Sequence, residues 1–210
     1  MLKLYDCSTA PSPRRARMFL AEKGLEWETV EVDLRNREQL GEAFLALNPR
    51  ATVPVLETPD GEIIADNIGI AAYVEALHPD PPLMGTTPLE KARVLAWDQR
   101  CMLEGLSAIA EVLRNGSPHL KGRALPGPRD LDQIPDLADR GRKRLGWFFE
   151  DVEAHLSDRD HLASDRYSLA DITLTVAFDF SKWVKAQPGD DHPHLQRYMA
   201  RMRERPSYGL

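Results

Sequence analysis

A change in the spacing of apolar residues, falling at a run of prolines, constrains this chain more than any other feature. His78-Pro79-Asp80-Pro81-Pro82 and Gly85-Thr86-Thr87-Pro88 make a stiff segment that neither a helix nor a strand readily crosses. Proline lacks an N–H and pushes the residue before it toward extended backbone. Ahead of this segment strand and helix signals alternate; beyond it every periodic segment is helical. The pattern predicts a mixed α/β domain over 1–78, a linker over 79–88 and an all-helical domain over 89–210. A chain of 210 residues with 42% hydrophobic content suffices to bury cores of that size.

In the first half, Leu2 to Tyr5 reads as a short strand and Pro13 to Gly24 as a helix. Ala16, Phe19 and Leu20 share one face of it, and Gly24 supplies the stop. Trp27 to Val32 reads as a second strand and Arg37 to Leu47 as a second helix. Val55-Leu56 and Ile63-Ile64 flank Thr58-Pro59-Asp60-Gly61, a hairpin signal. Ile70, Tyr73, Val74 and Leu77 then recur at helical spacing. The order βαβαββα, with a parallel pair followed by an antiparallel hairpin, is the thioredoxin-like arrangement.

The second half carries helical stripes at Val94, Trp97, Cys101, Gly105, Ala108 and Val112, and again at Leu145, Phe148, Phe149, Val152 and Leu156. A third runs through Leu169, Ile172, Thr173, Val176 and Phe180, and Leu195, Tyr198, Met199 and Met202 form a fourth. Trp97, Trp147 and Trp183 are expected in the core or at a domain interface. Asn115 to Pro135 is the most loop-like stretch. The net charge of −6 argues against nucleic acid as the main partner. No apolar run reaches the roughly 18 residues that would span a membrane. Cys7 and Cys101 are the two cysteines and have no metal-ligand spacing, which points to a reducing cytoplasm. Asp190-Asp191-His192-Pro193-His194 has metal-binding residue types but no second ligand cluster, and reads as a loop.

Two segments carry chemistry. Val53-Pro54-Val55 places a proline at the entry to an apolar strand, where its missing donor is tolerated. With a cis peptide there, the backbone of Val53 is expected to face outward, open to pairing with an extended peptide. Asp66-Asn67 opens the next helix, where free N–H groups and the positive dipole end favour a carboxylate. An ordinary helix cap is the alternative to that ligand reading of the pair. Together the segments describe a site for a short peptide with a free terminus, and glutathione is such a peptide.

With these residues in order, the chain resembles the cytosolic glutathione transferase family over nearly its whole length. The resemblance rests on Arg14-Arg15-Ala16-Arg17, Phe19 to Leu25, Asn48-Pro49 to Leu56, and Asp66 to Tyr73. In the second half it rests on Ser168-Leu169-Ala170-Asp171, Pro193 and Arg205-Pro206-Ser207. It implies that Pro54 is the family's cis-proline and that Val53 pairs with the cysteinyl unit of glutathione. Asp66 and Asn67 stand where the family usually has Glu and Ser to hold the γ-glutamyl end. Gln39 is implied as a partner of the glycyl carboxylate. Met102, Leu103 and Leu106 are implied as walls for a small hydrophobic electrophile. Glutathione is the implied co-substrate, with no further cofactor and no metal. A homodimer is implied, as is a role in detoxification.

The resemblance departs at the catalytic position, where Ala10 stands in place of the usual Ser or Tyr. Alanine has no donor for a thiolate. Ser12 and Thr9 are the nearest hydroxyls expected to serve, with Ser8 and Cys7 upstream. Ser12 equally suits an N-cap ahead of Pro13; Cys7 reads as a small buried hydrophobe rather than a redox nucleophile, and the Arg14, Arg15, Arg17 cluster as a solvated helix face rather than a partner of glutathione carboxylates. Three functions are thus open: a transferase, a glutathione-transferase-like binding or regulatory protein with little catalysis, and a glutathione-dependent peroxide or disulfide reductase. The absence of a cysteine at Ala10 or Ser12 weakens the third.

Overall fold

The computed structural model describes residues 1–210, which divide into two compact units. The first comprises Met1–Pro81, Leu125–Asp130 and Leu210; the second comprises Pro82–Ala124 and Leu131–Gly209.

In the first unit β1 (Leu2–Asp6), α1 (Pro11–Glu22), β2 (Trp27–Glu31), α2 (Glu42–Leu47), β3 (Val55–Glu57), β4 (Ile63–Ala65) and α3 (Asn67–Leu77) follow one another. The sheet order is β2-β1-β3-β4. β1 and β2 are parallel, with Leu2 opposite Trp27, because α1 supplies the crossover a parallel pair needs. β3 is antiparallel to both β1 and β4, with Tyr5 opposite Val55 and Leu56 opposite Ile64. This is the expected βαβαββα order.

Two element boundaries differ from expectation. α1 starts at Pro11, two residues early, because proline at N1 has the helical φ built in and loses no bond there. The expected helix over Arg37 to Leu47 is broken: a 3₁₀ turn over Glu38–Leu40 is separated from α2 by Gly41, which is extended at φ −73°, ψ 152°. Gly24 ends α1 at φ +65°, as its position predicts. One core cluster of the unit is Cys7, Val32, Phe44, Val53 and Val55, with Tyr5, Ala10 and Leu47 packed against it.

The second unit is helical: α4 (Pro88–Arg100), a π-helical turn (Cys101–Leu106), α5 (Ser107–Gly116), α6 (Pro135–His155), α7 (Leu169–Phe180) and α8 (Pro193–Arg203). Thr87 and Glu90 form a capping box that starts α4. Asp171 organises the unit from a fully buried position. Its carboxylate accepts from Ser168 N (2.9 Å), Ser168 Oγ (2.7 Å), Leu162 N (3.0 Å) and the Tyr198 hydroxyl (2.9 Å). The start of α7, the loop before it and α8 therefore share one anchor. Burial and the facing carboxylate push the Tyr198 phenol well above its ordinary pKa, so it stays a donor.

The tryptophans correct the sequence reading. Trp147 and Trp183 are 61% and 58% exposed and belong to no core. Trp147 directly precedes Phe148 of the apolar stripe of α6, and one step of about 100° turns its side chain off that stripe; Trp183 lies in a 3₁₀ turn over Ser181–Val184, past the end of α7.

Candidate functional site

The chain from β1 into α1 is Asp6-Cys7-Ser8-Thr9-Ala10, a tight connection closed by Ala10 N donating to Cys7 O at 2.9 Å. It is held from behind by Arg17. The guanidinium pairs with Asp6 Oδ1 at 2.5 Å and donates to Ser8 O at 3.1 Å and, more weakly, to Cys7 O at 3.5 Å. Arg15 and Arg17 are buried, so the expected solvated arginine face is corrected. An arginine fork can satisfy several buried carbonyl and carboxylate oxygens at once, which is why a charge is tolerated here. Burial pushes the Asp6 carboxyl above its ordinary value, against the pull of the Arg17 guanidinium.

The hydroxyls near this turn fall into different roles. Ser8 is spent on Glu31, which accepts from its N–H at 2.9 Å and from its Oγ at 3.0 Å. Thr9 is exposed, and its hydroxyl lies 3.6 Å from the buried Cys7 thiol. Ala10 is the N-cap of α1 and offers no side-chain bond. Pro11 and Pro13 have no N–H, so Ser12 carries the free amide of the first turn as well as a hydroxyl.

The start of α3 comes to the same place. Asp66, its N-cap, sits at φ +83°, ψ 140°, and its carboxylate accepts from Ile68 N at 3.3 Å. A non-glycine residue at that φ is strained by about 1–3 kcal/mol, and such strain persists where surrounding structure demands it. Asn67 is buried at the first position of α3, and its Nδ2 donates to Ser12 Oγ at 2.9 Å. Its Oδ1 is buried without a partner. The N-termini of α1 and α3 therefore converge on one bond, and both dipoles favour negative charge there.

Val53 lies just before β3. The Val53–Pro54 peptide is cis, and the ladder on this side ends at Tyr5 opposite Val55, so Val53 stands outside it. The loop that delivers Val53 is knitted by Asn48. Its Nδ2 donates to Thr52 O at 2.8 Å and its Oδ1 accepts from Arg50 N at 3.1 Å. Ala51, inside this loop, is left-handed at φ +53°. Gln39 lies buried in the 3₁₀ turn with Oε1 unpartnered. A carboxylate partner would need the Nε2 donor of that amide, whereas Oε1 suits an N–H.

In the helical unit, the π-helical turn carries Met102, Leu103 and Leu106. Leu103 is 49% exposed, Met102 half-buried and Leu106 buried. Arg144 Nη2 donates to Leu103 O at 2.7 Å, meeting a carbonyl of the widened turn. Across the loop before α8, Asp191 pairs with His192 Nδ1 at 2.9 Å, and Glu153 accepts from His194 N and Leu195 N, capping α8.

Sequence reasoning singled out Ser12, Val53, Pro54, Asp66 and Asn67, and the fold brings Ser12 and Asn67 into contact. It read Arg17 as part of a solvated face and missed Asp6 and the knitting role of Asn48. An Asn immediately before proline in a loop is the one local signal for the last.

Residues 9–77 match the family model described as "Glutathione S-transferase, N-terminal domain", and residues 129–206 match "Glutathione S-transferase, C-terminal domain". The chain is 34% identical over 207 residues to Glutathione S-transferase 2 of Saccharomyces cerevisiae, covering 97% of this chain and 86% of that protein. It is 30% identical over 199 residues to a probable elongation factor 1-gamma of Arabidopsis thaliana, covering 90% of this chain but 45% of that one. Among solved structures, a glutathione S-transferase domain-containing protein of Marinobacter aquaeolei VT8 superposes with a TM-score of 0.90 at 31% identity. That match covers 98% of this chain and 99% of the other.

Proposed function

The chain belongs to the glutathione S-transferase family, and from that premise we propose that it binds glutathione and transfers its thiolate to a small hydrophobic electrophile. The observation that carries this reading is the meeting of the α1 and α3 N-termini at the Asn67–Ser12 bond. Glutathione is a small peptide with a carboxylate at each end and a thiol between, and two converging helix ends offer separate homes for a carboxylate and a thiolate.

In this assignment the N–H groups of α3 take the γ-glutamyl carboxylate, and Asp66 accepts from the γ-glutamyl ammonium. Val53, left outside the ladder, pairs its backbone with the cysteinyl unit, while the buried Pro54 fixes the strand entry. Gln39 meets the glycyl end, through its Nε2 toward the carboxylate or its free Oε1 toward the glycyl N–H. Ser12, with its own N–H at the start of α1, donates to the sulfur; Thr9 is the secondary candidate. Met102, Leu103 and Leu106 are assigned to the electrophile. The chain acts as a homodimer with no cofactor beyond glutathione as co-substrate. No helix is long and apolar enough to cross a membrane.

The chemistry needs few groups. The thiol proton leaves to solvent, the sulfur lone pair forms a bond to the electrophilic carbon, and a leaving group departs with its electron pair. A hydrogen bond to a charged group contributes about 1.5–3 kcal/mol, which lowers the thiol pKa by about one to two units. The helix end adds about 0.3–1 kcal/mol. Ser12 is thus the larger of the two contributions and compensates for Ala10.

Calorimetric titration with glutathione, followed by an electrophile screen that tracks thiol consumption, tests the reading. It expects binding together with consumption by at least one electrophile class. Binding without turnover of any electrophile supports the second reading, a binding or regulatory protein. That reading is favoured by Ala10, a helix cap with no donor side chain, and by the likeness to an elongation factor 1-gamma. The reductase reading has no such support, since Cys7 is buried.

A further inference from the structure

Resting on the glutathione reading above, we propose that Asn67 is a positioning residue that couples capture of the γ-glutamyl end to activation of the thiol. Three facts meet at this side chain. It is 5% exposed, its Nδ2 donates to Ser12 Oγ across 2.9 Å, and its Oδ1 has no partner.

The consequence follows from donor and acceptor counting. An amide NH₂ donates and cannot accept, so a Ser12 oxygen that receives Asn67 Nδ2 cannot send its own proton back along that line. The proton points elsewhere, as a donor available to a sulfur at the start of α1. A hydroxyl that already accepts one hydrogen bond is also polarised to donate a better one. The reversed amide would do the opposite. With Oδ1 toward Ser12, the hydroxyl would donate to Asn67, and the thiolate would lose its donor.

Asn67 therefore has two orientations that differ in whether Ser12 serves the sulfur. The unpartnered Oδ1 is what a ligand can act on. A γ-glutamyl ammonium that donates to Oδ1 holds the amide with Nδ2 toward Ser12, and so holds Ser12 as a donor. A serine at position 67, as the family usually has, carries one hydroxyl and no two-ended amide, so it has no such pair of states. The coupling is a property of the Asn67–Ser12 pair in this chain.

The experiment is the pH titration of thiolate absorbance for two bound ligands, each referenced to the same ligand free in solution. One is glutathione, and the other is its analogue lacking the α-amino group of the γ-glutamyl unit. The proteins are wild type, Ser12→Ala, Asn67→Ala, Asn67→Asp and the double Ser12→Ala/Asn67→Ala, each first checked for native circular dichroism. Ser12→Ala is expected to raise the bound thiol pKa by about one to two units and Asn67→Ala by about one unit. The double variant is expected to match Ser12→Ala alone. Asn67→Asp, whose carboxylate takes the Ser12 proton, is expected to raise the pKa at least as far as Asn67→Ala. In wild type the analogue is expected to titrate above glutathione, and in Asn67→Ala the two ligands are expected to coincide. Additive shifts in the double variant overturn the proposal. So does an Asn67→Ala variant that binds glutathione more weakly yet leaves the thiol pKa unchanged. If wild type binds neither ligand, the glutathione reading itself falls and takes the coupling with it; binding without coupling removes the coupling alone.

Discussion

Replacing Arg17 with methionine tests how the site turn is held. Methionine keeps the length and apolar stem but removes every donor. Asp6, 2% exposed, then keeps its charge without its cation, holding only the backbone N–H of Cys7, and the carbonyls of Cys7 and Ser8 lose the Arg17 donor. Breaking a buried pair from one side costs about 3–5 kcal/mol at neutral pH. The cost depends on pH in a definite direction. Burial already holds the folded-state pKa of Asp6 above its ordinary value, with Arg17 pulling it back. Without Arg17 it rises further. A carboxyl with a raised folded pKa favours folding below its unfolded pKa and loses that contribution as pH climbs through the folded value. The gap between wild type and variant is therefore smaller near pH ~4.5, where the loss of the carbonyl bonds remains, and widens as pH rises toward ~7.5. Urea midpoints with m-values, followed by far-ultraviolet circular dichroism at the two pH values, read it directly. Adding Asp6→Asn to Arg17→Met removes the stranded charge and is expected to recover much of the neutral-pH loss. An equal loss at both pH values, or one below about 1 kcal/mol at neutral pH, would refute the reasoning.

Other outcomes follow from single contacts. Asp171→Ala strands the donors of Leu162, Ser168 and Tyr198, and is expected to cost about 3 kcal/mol or more in thermal or urea unfolding. Gly141→Ala drives a Cβ to 2.8 Å from Ala108 O and 3.0 Å from Val112, where α6 meets α5, with an expected loss of about 1–3 kcal/mol. Asn48→Ala frees the loop ahead of Val53; calorimetry is expected to show weaker glutathione binding, with stability down by about 1–2 kcal/mol. Leu103→Ala is expected to raise KM for a hydrophobic electrophile while leaving the glutathione Kd unchanged, as steady-state kinetics with each substrate varied would show.

What was legible in the sequence was whatever a local pattern determines. Alternating strand and helix periods gave βαβαββα because each period reports one buried face within a few residues. Val53-Pro54 was legible because proline tolerates few places in a sheet. The pairing of Asn67 with Ser12 was not, since the two stand 55 positions apart and no spacing rule joins them. Arg17 was misjudged for a related reason. Its charge argues for solvent, and only the fold shows Asp6 and two carbonyls turned toward it. The same holds for Trp147, whose place near an apolar stripe did not decide which way its ring faces. Gly41 breaks the second helix where the composition around it, Glu42 to Leu47, reads as good helix former.

The central claim is that the start of α1 stabilises the thiolate of bound glutathione without a donor at Ala10. The thiolate absorbance of glutathione bound to the wild-type protein, followed against pH, tests it most directly. A free thiol titrates near pH ~8.5, and the account predicts a bound value at least one unit lower. Saturable binding in which the thiol titrates as it does in free solution would contradict it.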